Sequence, residues 1–202
     1  MINISPEAEA AFERVKQSKA CVIVSPHISN FDLMGYALAL KGIDVQILSF
    51  PNPNASYKVQ NQLRESYGLH VTPMSFSAFR ESRIRLNRGG SILTGLDRPV
   101  DSNAREKYQP RFFGHPSHLP VTYVRMAKDA QAPVIIMAVA YQPDGTYSLE
   151  ASQPIWMEPA DNPETEILMN TEKVLKFAGE FILKYHEQWA MYYPIWPEFL
   201  GV

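Results

Sequence analysis

A histidine and an aspartate five residues apart are the first pair in the sequence with the chemistry of an acid–base site. His27 and Asp32 lie in a polar stretch between an apolar, β-branched run at residues 21–24 and a helix-like run at 33–40. A strand that turns directly into a helix leaves its turn residues at the carboxyl edge of the sheet, where open α/β folds bind ligands. We expect Asp32, in the first helical turn, to hold one imidazole nitrogen, so that the other nitrogen of His27 faces a cleft as a general base.

This pair also has an ordinary structural explanation. A loop histidine next to an aspartate that caps a helix is common in proteins without catalytic activity, and spacing alone does not separate the two cases. A second acid and base, Asp97 and Arg98, follow a compact apolar run at residues 91–94. They would either position the hydroxyl groups of a substrate or pair with each other at the strand end.

Short apolar strands alternate with helices along the whole chain, and no internal repeat is present. This pattern predicts a single α/β domain with a mixed, mostly parallel central sheet flanked by helices. A Pro-Asp-Gly turn at residues 143–145 makes the last strand antiparallel to its predecessor, and residues 100–110 are polar and predict a surface loop. The predicted helices cover residues 6–19, 33–40, 55–67, 75–88, 119–130 and 167–185, and the predicted strands cover 21–24, 45–50, 69–73, 91–94, 133–141 and 146–150.

Composition excludes several classes of protein. The 202 residues include 19 basic and 21 acidic side chains, a net charge of −2, so no nucleic-acid partner held by bulk charge is expected. The single cysteine, Cys21, cannot form an internal disulfide and suits a reducing compartment. No window of eighteen apolar residues and no signal peptide are present. We therefore expect a cytoplasmic protein, at most peripheral on the inner face of the cell membrane.

Two histidines near the middle of the chain have the spacing of metal ligands but lack the context. His115 and His118 are three residues apart, with Pro116 between them and no acidic or cysteine residue nearby. Because a proline disfavours one continuous helical face and zinc needs further ligands, we expect no metal site here.

Several stretches in order match the pattern of one enzyme family. Residues 27–32 (HISNFD) are similar to an H-x4-D box in the fuller form H-x-x-N-aromatic-acid, and residues 64–68 (RESYG) to a block with an arginine shortly before a glycine. Leu96-Asp97-Arg98 resembles a third block, residues 112–134 follow F-F-G…A…G-A-P-V, and 186–189 (HEQW) with Trp196 resemble P-E-Q-W and a later tryptophan. Together they resemble the bacterial lipid A biosynthesis acyltransferases and phosphatidylinositol mannoside acyltransferases of the lysophospholipid acyltransferase superfamily.

This resemblance implies the transfer of a fatty acyl chain from acyl-CoA or acyl-carrier protein to a hydroxyl of a lipid or glycolipid acceptor, on a glycerolphosphate-acyltransferase-like fold. Such a transfer reaction needs no cofactor and no acyl-enzyme. His27 would be the general base, oriented by Asp32. Arg64 suits a phosphate clamp because guanidinium binds phosphate bidentately. The expected substrate-binding residues are Asn30, Arg64, Asp97, Arg98, Phe112 and Phe113.

Two other functions stay open at this point: a non-catalytic lipid- or partner-binding homologue, and a thioester hydrolase in which water replaces the acceptor. The chain starts just before the histidine box, so we expect it to lack the family's usual amino-terminal anchor segment. Any membrane contact would then be peripheral, and Phe112, Phe113 and the tryptophan-rich carboxyl end are the candidates for it. The alternative is that these rings belong to the apolar core. With a net charge of −2, we expect such binding to survive moderate salt.

Overall fold

Nine strands occur in the computed structural model, which describes residues 1–100 and 108–200. Seven of them form one sheet and two form a separate short hairpin. They are β1 (Ile2–Ile4), β2 (Val22–Ser25), β3 (Val45–Ser49), β4 (His70–Pro73), β5 (Ser91–Gly95), β6 (Arg111–Phe112), β7 (His115–Pro116), β8 (Val134–Tyr141) and β9 (Tyr147–Ala151).

The order of the large sheet is β1-β9-β8-β2-β5-β3-β4. All neighbours are parallel except β8 and β9, which the predicted turn joins as an antiparallel pair. The predicted fold class, a mixed and mostly parallel sheet, is therefore confirmed. β1 and the β6–β7 hairpin were not predicted, because strands of two or three residues give too short an alternating pattern.

Helices cover both faces of this sheet. They are α1 (Pro6–Lys16), α2 (Asp32–Leu40), α3 (Ala55–Ser66), α4 (Phe76–Asn87), α5 (Thr122–Asp129), α6 (Pro163–Lys184) and α7 (Pro197–Leu200). Polar side chains cap four of their amino termini: Ser5, Asn54, Ser75 and Asn162 each accept a backbone N–H three residues later. No helix among the described residues is both long enough and apolar enough to cross a bilayer.

Two apolar cores result, one on each face. In β2, Val22 and Val24 belong to one core together with residues of α4, α5 and α6, whereas Ile23 belongs to the other with residues of α1 and α2. The alternation arises because successive side chains of a strand point to opposite faces. Because β2 is buried on both sides, most of its residues are apolar and do not alternate with polar ones.

The position of β5 decides which loops meet. The chain passes from β2 through α2 to β3 and on to β4, and then returns so that β5 lies between β2 and β3. The carboxyl ends of β2, β5 and β3 therefore form one edge of the sheet. The predicted loop at 100–110 leaves this edge after β5, and its residues 101–107 lie outside the described part of the chain.

Candidate active site

A cavity of about 670 Å³ opens at the carboxyl ends of β2, β3 and β5. Its volume lies within the range of roughly 300–1,000 Å³ that is usual for ligand sites. Most of its wall is apolar, with contributions from Met34, Leu48, Met74, Phe79 and Met126. Four ionisable side chains of the predicted site also line it: His27, Asp32, Arg64 and Arg98.

The imidazole of His27 is held by the carboxylate of Asp97. The distance from Nδ1 of His27 to Oδ1 of Asp97 is 2.5 Å, and the backbone N–H of His27 donates to Oδ2 at 2.9 Å. Asp97 is completely buried. Because an ionised carboxylate only accepts hydrogen bonds, Nδ1 carries the proton, and Nε2 is left with a lone pair beside the cavity.

The expectation that Asp32 would hold the imidazole is wrong. β2 and β5 pair in parallel with Ser25 opposite Gly95, so that the chain two residues beyond each strand end brings His27 next to Asp97. Asp32 instead lies at the start of α2, and its carboxylate pairs with Arg64 of α3. The partner of the histidine therefore comes from the neighbouring strand and not from its own turn.

A tryptophan completes the surroundings of Asp97. The indole Nε1–H of Trp189 donates to Oδ2 of Asp97 at 2.8 Å. The segment around Trp189 also pairs with the His27 loop: Ala190 N–H donates to the carbonyl of His27 at 2.7 Å, and Ser29 N–H to that of Gln188 at 2.8 Å. The carboxyl-terminal segment thus fixes both members of the histidine–aspartate pair.

Gly95 makes room for the imidazole. A Cβ at this position would lie 3.0 Å from Cε1 of His27, closer than side chains normally approach. The imidazole would have to shift by a few tenths of an ångström to admit a side chain here, so the glycine at the end of β5 lets the ring lie against Asp97 without displacement.

Asp32 and Arg64 form an ion pair in the cavity wall. Nε and Nη2 of Arg64 donate to Oδ1 of Asp32 at 2.8 and 2.5 Å, and Nη1 donates to Oδ1 of Asn61 at 3.0 Å. The pair joins the start of α2 to the last turn of α3. The charge of Arg64 is thus already balanced by Asp32, and its role as a phosphate clamp stays a prediction.

Within the described part of the chain, the side chains that contact Arg98 are aromatic. Its guanidinium lies over the rings of Phe50 and Tyr193, at 3.8 and 4.3 Å from their centroids. It also donates to the hydroxyls of Tyr57 and Tyr193. Asp97 and Arg98, adjacent in sequence, therefore have separate partners, and no carboxylate among residues 1–100 and 108–200 forms an ion pair with Arg98.

The remaining predicted substrate-binding residues lie away from the cavity wall. Asn30 is exposed in the loop after β2, and its backbone carbonyl accepts from Leu33. Phe112 is only 2% exposed and stacks on Trp196, with centroids 5.8 Å apart, so of the two alternatives for this ring, plain core is right and exposed membrane contact is wrong. Phe113, 40% exposed, lies beside Gly179 of α6.

The sequence analysis gave Gly95, Phe50 and Tyr57 no role, and it placed Trp189 and Tyr193 only in the aromatic carboxyl-terminal cluster, as lipid contacts or plain core. The sequence contains a glycine after a buried strand and a tryptophan in the Q-W stretch, but their distance from His27 along the chain does not indicate that they contact it or its partner. Phe50 and Tyr57 follow β3 and Tyr193 lies near the carboxyl end. Only the strand order brings these segments to one edge.

The fold and the site together define an α/β protein with a histidine–carboxylate pair at the mouth of an apolar cavity. The model of the bacterial lipid A biosynthesis acyltransferase family matches residues 6–197. The chain belongs to this family, as the sequence motifs predicted, and membership supports acyltransferase activity on lipid substrates.

Comparison with solved structures also gave a similar protein. This is the 1-acyl-sn-glycerophosphate (LPA) acyltransferase PlsC from Thermotoga maritima, with 16% identity and a TM-score of 0.47. The similarity covers 94% of the present chain and 73% of that chain. Comparison with curated proteins gave no significant match.

Proposed function

We propose that this protein transfers a fatty acyl chain from an acyl thioester to a hydroxyl of a lipid or glycolipid acceptor, with His27 as the general base and Asp97 as the residue that orients it. The observation that supports this most is the His27–Asp97 pair at the mouth of the apolar cavity. The pair resembles the base and orienter of the serine-hydrolase triad, without a side-chain nucleophile.

The proposed reaction needs one proton carrier. Nε2 of His27 takes the proton of the acceptor hydroxyl while that oxygen attacks the thioester carbonyl carbon. The buried charge of Asp97 stabilises the imidazolium that forms. The tetrahedral intermediate then expels the thiolate, which takes the proton from Nε2. One C–O bond forms and one C–S bond breaks, without an acyl-enzyme, cofactor or metal in the scheme.

The two sides of the cavity suit two parts of the substrates. The apolar wall of Met34, Leu48, Phe79 and Met126 fits an acyl chain, because burial of each CH₂ group contributes about 0.8 kcal/mol. Arg98, whose charge is not balanced by a carboxylate among the described residues, fits an anionic or polyhydroxyl group of the acceptor or the donor carrier.

A membrane contact next to the cavity would bring the acceptor within reach. Phe76, the first residue of α4, lines the cavity and is 96% exposed. Tyr192 is also strongly exposed, and Arg80 and Arg83 extend from Phe76 along the exposed side of α4. We propose that Phe76 and Tyr192 enter the interface of the bilayer, in place of Phe112, and that the arginines add attraction to anionic lipid.

Incubation with a labelled thioester and a lipid extract tests this function. Purified protein would receive acyl-CoA or acyl-carrier protein, and the products would be separated by mass spectrometry. The proposal predicts a newly acylated lipid that requires both donor and acceptor. Free fatty acid as the product, formed equally without acceptor, would indicate a hydrolase instead. Binding of the thioester without any turnover would indicate a non-catalytic homologue.

A further inference from the structure

The segment 186–190, which follows α6, contacts the site with three consecutive residues. The side chain of Gln188 bonds to both backbone groups of Tyr141 at the end of β8: Oε1 accepts from the N–H at 2.8 Å, and Nε2 donates to the carbonyl at 2.9 Å. The indole of Trp189 donates to Asp97, and the backbone N–H of the next residue donates to the carbonyl of His27. The tryptophan is therefore held on both sides by fixed contacts.

Trp189 contacts the carboxylate of the site and does not line the cavity. Its ring lies edge-on to that of Phe112, with centroids 6.4 Å apart, and its N–H reaches Oδ2 of Asp97 at 2.8 Å. Among residues 1–100 and 108–200, the indole is the one donor to this buried carboxylate that does not come from His27. Any effect of Trp189 on the reaction therefore passes through Asp97.

The indole N–H and the Nδ1–H of His27 share the negative charge of Asp97. Each donor to an ionised carboxylate stabilises part of that charge. With one donor fewer, the carboxylate would attract the proton on Nδ1 more strongly and would stabilise the imidazolium more. His27 would then keep a proton on Nε2 up to a higher pH, and a protonated Nε2 cannot accept the proton of a hydroxyl.

Ionisable groups on the neighbouring elements do not bond to Asp97 in place of the indole. Tyr123 of α5 stays neutral, because burial raises its pKa and the charge of Asp97 raises it further. Asp32 of α2 and Arg64 of α3 form an ion pair with each other, and Arg98 donates to tyrosine hydroxyls. The titratable residues of the segment itself, at positions 186 and 187, are exposed.

We propose that Trp189 is a positioning residue, which holds Asp97 against His27 and limits how strongly Asp97 attracts the ring proton. Nε2 of His27 is then free to accept a proton down to a lower pH than Asp97 alone would allow. This inference rests on the proposed function, in which His27 takes the proton of the acceptor hydroxyl.

Trp189→Phe removes the N–H and keeps an aromatic ring beside Phe112. We expect the acid limb of the pH profile of kcat/KM to move up by about one pH unit, the scale of one hydrogen bond to a charged group. The KM of the thioester should stay unchanged, because the indole does not line the cavity. The thermal midpoint should fall, because Asp97 loses a donor.

Trp196→Phe is the matched control. Its indole N–H donates to the carbonyl of Phe112 at 3.1 Å, so this variant also loses one hydrogen bond of a tryptophan to a buried residue. We expect its thermal midpoint to fall as well, whereas the acid limb should stay where it is in the wild-type protein. An equal displacement of the acid limb in both variants would refute the role of Trp189.

An NMR titration separates this inference from the proposed function, because it needs no substrate. The imidazole signal of His27, assigned by its absence from His27→Ala, should reach its titration midpoint at a higher pH in Trp189→Phe than in the wild type. An unchanged midpoint in the folded variant would refute the role of Trp189 whatever the activity. A shifted midpoint in a protein that transfers no acyl chain would support that role and refute the proposed function. If Trp189→Phe does not fold, β-(3-benzothienyl)alanine at position 189, which replaces the indole N–H with sulfur, gives the same comparison.

Discussion

Asp97→Asn changes one atom in the pair that defines the site. In the native protein, Oδ1 of Asp97 accepts from Nδ1 of His27, and Oδ2 accepts from the backbone N–H of His27 and from Nε1–H of Trp189. An asparagine has only one oxygen to serve three donors, and its NH₂ group cannot accept.

The contacts decide which way the amide would point. With the oxygen at the Oδ2 position, the backbone N–H and Trp189 keep their acceptor, and the NH₂ group faces Nδ1. In the reverse orientation two buried donors lose their acceptor, which costs about 2–6 kcal/mol at about 1–3 kcal/mol each. The first orientation therefore prevails. Nδ1 must then accept a hydrogen bond, the ring proton moves to Nε2, and His27 can no longer take a proton from the acceptor.

We expect Asp97→Asn to lower the rate of acyl transfer about 10⁴-fold, as a wrong tautomer does in serine proteases. Asp32→Asn is the matched control. Asp32 is about one-third exposed and pairs with Arg64 rather than His27, so Asp32→Asn leaves the tautomer of His27 unchanged and should slow transfer less than about tenfold. Initial rates of thioester consumption with a fixed lipid acceptor measure both variants, and thermal unfolding shows whether each remains folded.

Equal losses in folded Asp97→Asn and Asp32→Asn variants would refute the assignment, because the two carboxylates would then contribute alike. An Asp97→Asn variant that keeps more than a tenth of the wild-type rate would show that Asp97 does not set the tautomer of His27.

Two further predictions concern the substrates and the membrane. Arg98→Gln should raise the KM of the anionic substrate about 10- to 100-fold with little change in kcat, because the variant loses a charge-assisted contact. Arg64→Gln should raise this KM less. Equal KM increases for donor and acceptor would instead indicate that Arg98 has a structural role. Phe76→Ser should lower co-sedimentation with liposomes several-fold at both low and moderate salt, whereas the control Phe177→Ser on α6 should leave it unchanged. If added salt alone abolishes the binding of the wild-type protein, the arginines of α4 make the contact instead.

Most of the local structure could be predicted from sequence, because the signals are local. The cap at Ser5, the Pro-Asp-Gly turn at 143–145 and the apolar run at 134–140 each determine structure within a few residues. α5 begins at Thr122 rather than near 119, after Pro120, since a proline belongs at or before the first turn of a helix. The position of His27 at a strand end was predictable for the same reason.

The partner of His27 was not predictable, because it depends on which strands are neighbours. Sequence places Asp32 five residues from His27 and Asp97 seventy residues away. Asp97, which is distant in sequence, lies next to His27 only because β5 is placed between β2 and β3 in the sheet. Trp189, ninety-two residues beyond Asp97, reaches it for the same non-local reason. Burial of Phe112 likewise depends on Trp196 from the far end of the chain.

The role of His27 as general base can be tested by comparing acyl transfer by the wild-type protein and by His27→Ala under conditions in which both are folded. His27 lies in a loop and is only partly exposed, so we expect the variant to fold, with a lower thermal midpoint because the buried carboxylate of Asp97 loses one of its three donors. If His27 is the general base, transfer of a labelled acyl chain to the lipid acceptor should fall on the order of 10²–10⁴-fold in the variant. A folded His27→Ala variant that transfers the chain at the wild-type rate would show that His27 is not the base.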